Sequence, residues 1–201
     1  MIARRLLLVS ALCCWAGTAA VAQGSQMVRI RGTIDAVSPT SIQLTSREGD
    51  KLTVVTGDNL TVTEIVPASI SDIKSGTFIG TAAVTQSDGS LRALEVQVFP
   101  ESRRGTGEGY YQYDLQPGSS MVNGTAGDVV GAAGRTLTIH YKGNEKKLVV
   151  PQNAPIITYE PGNRAMLVPG AHVIFSATKA ADGSLSATRI SVGKDGLVPP
   201  M

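Results

Sequence analysis

Cysteine and tryptophan are missing from all but the start of this chain: Cys13, Cys14 and Trp15 stand side by side, and none follows. If that start is cleaved off, disulfides, thiol nucleophiles and cysteine-ligated zinc or iron are all excluded. Long apolar runs are lacking as well. After residue 22 no segment approaches the roughly 20 apolar residues that a membrane-spanning helix requires. Histidine is scarce, with only His140 and His172. Neither sign of charge dominates: the full chain carries +2, and removing Arg4 and Arg5 leaves the basic residues equal in number to the 16 acidic ones. Sequence-independent nucleic-acid binding depends on a positive patch that releases counterions, which makes nucleic acid a poor partner here. No local basic patch stands out beyond Arg103-Arg104.

The start of the chain has the pattern of an export signal. Arg4 and Arg5 give a positive n-region, Leu6 to Ala16 an apolar core, and Ala20-Val21-Ala22 a small-residue cleavage site. We therefore expect residues 1–22 to be a signal peptide and the working protein to begin at Gln23, periplasmic or secreted, without a membrane span. Lipid attachment at Cys13 or Cys14 is the alternative, but Leu12 stands where a small residue is needed.

What is present, the chain presents twice. Gly32-Thr33 recurs as Gly124-Thr125, 92 residues on; Ile73-Lys74-Ser75-Gly76 returns as Leu167-Val168-Pro169-Gly170 and Ser87-Asp88-Gly89-Ser90-Leu91 as Ala181-Asp182-Gly183-Ser184-Leu185, both 94 on. Such a period is too long for a solenoid unit and indicates two copies of one small domain. Each copy reads as strands: Val28-Ile30-Gly32-Ile34, Ile42-Leu44, Leu52-Val54 and Leu94-Val96-Val98 alternate at period two. One short helical candidate, 68–73, follows Pro67 and stops before Gly76; the matching stretch of the second copy, around Pro161-Gly162, reads as a turn. Asp88-Gly89 and Asp182-Gly183 mark a closing hairpin in each copy. Five short strands with an insert between the third and fourth is the order of an OB-type barrel. The expected fold class is all-β: two tandem small five-stranded OB-like β-barrel domains with little helix. The expected boundaries are 27–99 and 121–193, with a connector over 100–120 and a tail over 194–201.

Shared features report the fold, and features present once are candidates for function. The connector is such a feature. Its Gly105, Gly107 and Gly109 precede Tyr110, Tyr111 and Tyr113, which are three of the chain's five tyrosines. A plain linker carries Ser, Gly or charge instead, and tyrosine suits both domain interfaces and recognition surfaces. Glu108, Tyr110, Tyr111, Tyr113 and Asp114 are the candidate binding residues. The glycine run is no dinucleotide fingerprint, because no helix can follow it through Pro117.

The stretch from Arg104 to Met121, Arg-Gly-Thr-Gly-Glu-Gly-Tyr-Tyr-Gln-Tyr-Asp-Leu-Gln-Pro-Gly-Ser-Ser-Met, resembles the inter-domain motif of an uncharacterised family of secreted bacterial proteins with tandem OB-like domains of unknown function. The resemblance implies export and tandem β-domains and no established activity. It also implies a His near Tyr110 and a Trp near Tyr113, both missing here, which argues against a histidine-based metal site.

Catalytic signals are weak. No Gly-x-Ser-x-Gly elbow occurs, and His140 and His172 read as surface residues with no counterparts in the first copy. The expected function is that of an exported, non-catalytic periplasmic binding or adaptor protein, with no metal or cofactor and with an unknown periplasmic protein or small ligand as partner. The alternatives are an OB-type oligosaccharide or nucleic-acid binder and a hydrolase with a spatially assembled carboxylate/histidine site. The former wants aromatic stacking platforms on the second and third strands, where only Tyr141 of the second copy qualifies.

Overall fold

The computed structural model describes residues 25–130 and 135–201; the expected signal peptide, residues 1–22, lies outside them. Thirteen strands run in chain order as β1 (Gln26–Val37), β2 (Ser41–Ser46), β3 (Lys51–Pro67), β4 (Phe78–Thr85), β5 (Leu91–Ala93), β6 (Val96–Val98), β7 (Gly109–Gln112), β8 (Ser119–Val130), β9 (Thr136–Tyr141), β10 (Asn144–Val149), β11 (Ile156–Pro161), β12 (His172–Lys179) and β13 (Leu185–Gly193). The all-β class is observed. No helix among the described residues is long and apolar enough to cross a membrane.

The strand pairing does not follow the repeats. One closed ring runs β1-β2-β3-β13-β12 and back to β1; the other runs β8-β9-β10-β5-β4 and back to β8. In both rings the only parallel pair joins a third to a fifth strand, β3 with β13 and β10 with β5. This is OB strand order, but each barrel takes its last hairpin from the other repeat. The expectation of two tandem barrels, each closed within its own repeat, is therefore not met: the hairpins are exchanged.

The third strand explains why. Its first half, 51–56, closes a barrel between β2 and β13, but the strand continues to Pro67 and pairs its far end antiparallel with β11. By Pro67 the chain has left the first barrel, so β4 and β5 enter the second. The β3–β11 seam pairs Ile65 with Tyr159, and pairs Thr63 with Pro161 and Pro67 with Ile157. Under the 94-residue offset those last two pairs exchange into each other, so a pseudo-dyad passes between Ile65 and Tyr159.

Apolar alternation fills two separate barrel cores. Ile34, Ile42, Leu44, Val54 and Ile190 are buried in the first, and Ile79, Leu91, Leu137, Ile139 and Leu148 in the second. The period-two pattern of the sequence survives the exchange because it specifies which face is buried and not which strand is the neighbour. Gly32 and Gly124 recur for a common reason: a Cβ at either would run into the carbonyl oxygen of Thr45 or of His140 on the adjacent strand.

The insert also differs from expectation. A single 3₁₀ turn occurs in both copies, at Ile70–Asp72 and at Arg164–Met166. The first is opened by the Ser69 N–H donating to Asp72 at 2.8 Å, the second by the Ala165 N–H donating to Asn163 at 3.0 Å. Each turn delivers a plug, Ile73 into the second barrel and Leu167 into the first. The Asp-Gly hairpins form as expected, although only the glycines take positive φ, 80° at Gly89 and 84° at Gly183.

Candidate functional site

The connector returns between the barrels and docks on the seam. Pro100 opens a 3₁₀ turn over Glu101–Arg103, and β7 then adds to the free edge of β8. What was expected to be a linker is thus partly a strand. Between β7, the seam and the first barrel lies a cleft of about 570 Å³, continuous with a hollow of about 690 Å³ through their shared Thr106, Arg103, Tyr159, Arg189 and Ser191. Both volumes are in the usual range of small-ligand sites.

An aromatic stack forms the floor. Phe78 and Phe99 lie 5.6 Å apart between centroids, and Phe99 stacks on Tyr159 at 5.7 Å with planes only 12° apart. The Arg103 guanidinium sits 4.1 Å from the Tyr159 ring centre and 5.5 Å from that of Phe99. Gly80 leaves the room, since a Cβ there would strike Asn123 and Phe99. From the floor a polar chain runs inward. The Tyr159 hydroxyl donates to Gln97 at 2.6 Å, and the Gln97 amide donates to Glu95 Oε1 at 3.3 Å, which also accepts the Ala82 N–H at 2.7 Å. Glu95 is completely buried, and burial pushes its carboxyl up to about 7 against those two donors. Burial likewise raises the Tyr159 hydroxyl.

Three buried side-chain polar atoms have no hydrogen-bond partner among the described residues: Glu95 Oε2, Arg103 Nη1 and Asn123 Oδ1. All three belong to this region, because Arg103 and Asn123 line the cleft and Glu95 lies beneath it through Gln97. An orphaned buried donor or acceptor costs about 1–3 kcal/mol, so native structures retain few. Two of them, on Arg103 and Asn123, open onto the cleft itself.

The five candidate residues divide between two faces. Tyr111 and Tyr113 line the cleft. Asn123 donates weakly to the Tyr111 hydroxyl at 3.5 Å, and the Arg29 guanidinium lies 4.5 Å over the Tyr113 ring. Asp114 binds Arg29 at 2.9 Å and Arg31 at 2.8 Å, tying the connector to β1 of the first barrel. The hydrogen bond from Arg31 holds the Asp114 carboxyl well below the usual range. Tyr110, by strand alternation, turns to the opposite face of β7. There it hydrogen-bonds Ser120 and Thr85, tilts against Tyr141 at 6.3 Å and receives Lys146 at 5.6 Å from its ring centre. Glu108 accepts the Lys142 N–H at 3.0 Å, a contact with the turn between β9 and β10 and away from the cleft. The structure thus brings Tyr111 and Tyr113 to one site, leaves Asp114 beside it as the partner of the cleft-lining Arg29, and leaves Glu108 and Tyr110 outside it.

Sequence reasoning missed Gln97, Glu95, Asn123, Tyr159 and Arg189. The repeat itself carries a signal for three of them: at the 94-residue offset Glu95 stands opposite Arg189 and Ile65 opposite Tyr159, chemical mismatches in otherwise matched copies. Of the pair Arg103-Arg104, Arg104 is bound by Glu101 and the Gly76 carbonyl, while Arg103 reaches the cleft. His140 lies 3.6 Å from Glu145 and His172 3.0 Å from the Thr33 hydroxyl, neither in the cleft. Among the described residues no group of three or more His, Cys, Asp or Glu is placed to hold a metal ion.

No curated protein matches the chain, and no solved structure does. A family model does: residues 31–97 match DUF5666, a domain of unknown function, and the matched segment is the first repeat, whose strands serve both barrels.

Proposed function

We propose that this is an exported, non-catalytic binding protein whose ligand or partner occupies the cleft between the barrels, beneath Tyr111 and Tyr113. Two orphaned buried polar atoms on one cavity, Arg103 Nη1 and Asn123 Oδ1, carry the reading, since a bound molecule would supply their missing partners. Export rests on Arg4-Arg5, the apolar run and Ala20-Val21-Ala22. Acid-base chemistry has less support. Glu95 is the one carboxyl raised near neutrality, and it is sealed beneath Gln97 with no exposure. A second reading, oligosaccharide binding on the outer face of the second barrel, draws on the exposed Tyr110 beside Tyr141 and Lys146.

Native mass spectrometry of the mature protein from its own host's periplasm tests the assignment. A retained mass that disappears in Tyr111→Ala and persists in Tyr110→Ala supports the cleft. The reverse pattern favours the outer face. No retained mass, with host proteins captured equally by both variants, removes the cleft as the site.

A further inference from the structure

We infer that the cleft takes a compact organic oxyanion, a carboxylate or phosphate on a small apolar body, gripped by Arg103 and Arg189; this rests on the binding reading above. The argument begins with how the arginines are used. Arg29 and Arg31 are bound by Asp114, Arg47 by Glu48 and Arg104 by Glu101. Arg135 and Arg164 donate to backbone carbonyls. Among the described residues that leaves Arg92, Arg103 and Arg189 without a hydrogen-bond or ion-pair partner, and the last two line both the cleft and the hollow beside it.

Stacking on Tyr159 occupies a face of the Arg103 guanidinium and leaves its N–H donors unused, with Nη1 buried and unpaired. A planar fork held this way is preorganised for an oxyanion, which it can meet with two parallel hydrogen bonds. Arg189 projects from β13 where that strand shifts register against β3, and Thr106 and Ser191 add hydroxyls to the same wall. Glu160 is the one carboxylate lining the hollow, so two unpaired cations face a single acid there. A bare ion would leave most of the roughly 570 Å³ unfilled, and Phe175 and Tyr111 furnish apolar surface for a body attached to it.

Calorimetric titration of the full mature chain decides the matter, with phenyl phosphate, benzoate, inorganic phosphate and the neutral benzyl alcohol as probes. The two organic anions are expected to bind, more tightly than inorganic phosphate and with an affinity that falls as salt rises. Arg189→Gln, at an exposed position, should weaken them roughly tenfold or more, and Arg103→Lys, which keeps the charge and loses the fork, should do the same. Thermal melts of both variants establish that they are folded. Unchanged affinity in folded Arg189→Gln and Arg103→Lys overturns the proposal, as does failure of all three anions to bind at millimolar concentration. Benzyl alcohol binding as tightly as benzoate also overturns the oxyanion grip, yet leaves the cleft standing as a binding site. Loss of the cleft itself is read separately, from a host ligand that Tyr111→Ala still retains.

Discussion

Glu95 and Arg189 occupy the same place in the two repeats, yet one is sealed in the protein with its carboxyl pushed up to about 7 and the other stands exposed at the cleft. The same contrast recurs around the pseudo-dyad. Ile65 faces Tyr159 across the seam, and Arg29 and Arg31 of β1 correspond to Met121 and Asn123 of β8, at the 92-residue offset set by Gly32 and Gly124. Barrel cores, plugs, hairpin turns and crossing glycines agree between the copies. Among the places where the copies disagree, Arg29, Met121, Asn123, Tyr159 and Arg189 line the cleft, with Glu95 beneath it. A duplicated frame therefore supplies the scaffold, and the proposed site draws on differences between its halves.

The largest effect expected from challenging that comparison concerns the frame. Because each barrel borrows a hairpin, residues 27–100 alone cannot close either ring. Circular dichroism and gel filtration should find this piece unfolded, or folded only as a dimer that exchanges hairpins between molecules. A stable folded monomer would break the account of the exchange.

Glu95→Gln should come next. The folded carboxyl titrates at about 7 and the unfolded one near 4.5, so between those values the native state holds a proton that the unfolded chain has released. The Glu95 contribution to stability is then greatest below about 4.5 and is lost as pH rises through about 7, a change of at most about 3 kcal/mol. The glutamine variant should lose that slope and gain most above neutrality, as urea unfolding at a series of pH values would show. The Arg189→Gln variant should show no comparable change of slope.

Tyr113→Ala should lower stability by about 1–3 kcal/mol, because it removes a partly buried ring and uncovers Arg29. Thermal melting compared with Tyr110→Ala, a substitution at a residue that is 39% exposed, sharpens the division between the two faces of β7. The smallest effect belongs to Asp114→Asn. Its side chain is half-exposed, so screening limits the two ion pairs to about 1 kcal/mol together. The depressed carboxyl makes that contribution present above about pH 4 and lost as pH falls.

The sequence made legible whatever depends on local pattern. Alternation at Val28–Ile34 and at Leu137–Ile139, the Asp-Gly turns and the matched Gly32 and Gly124 identify an all-β chain of OB-ordered strands. Which hairpin enters which barrel was not legible, because Ile79 and Val173 bury the same face whether the neighbouring strand comes from their own repeat or the other. The insert at Arg164–Met166 was missed because Pro161-Gly162, just before it, resembles a turn that ends structure; in fact it ends β11, and the 3₁₀ turn starts afterwards at Asn163. At the site, the tyrosine cluster pointed to the right segment, but alternation along β7 sends Tyr110 and Tyr111 to opposite sides. Glu95 and Tyr159, lying in otherwise ordinary strand segments, carry no motif.

The claim that binding occurs between the barrels is tested most directly by the methionine methyl groups. Met27, Met121 and Met201 line the cleft, whereas Met166 packs on the core of the first barrel. Carbon-13 methyl spectra of the mature protein, recorded before and after adding the low-mass fraction of its host's periplasm, should show the three cleft signals moving and Met166 unmoved. Movement of none of the three would contradict the account, and shifts of carbon-13-labelled rings at Tyr110 and Tyr141 in a parallel sample would move the site to the outer face of the second barrel.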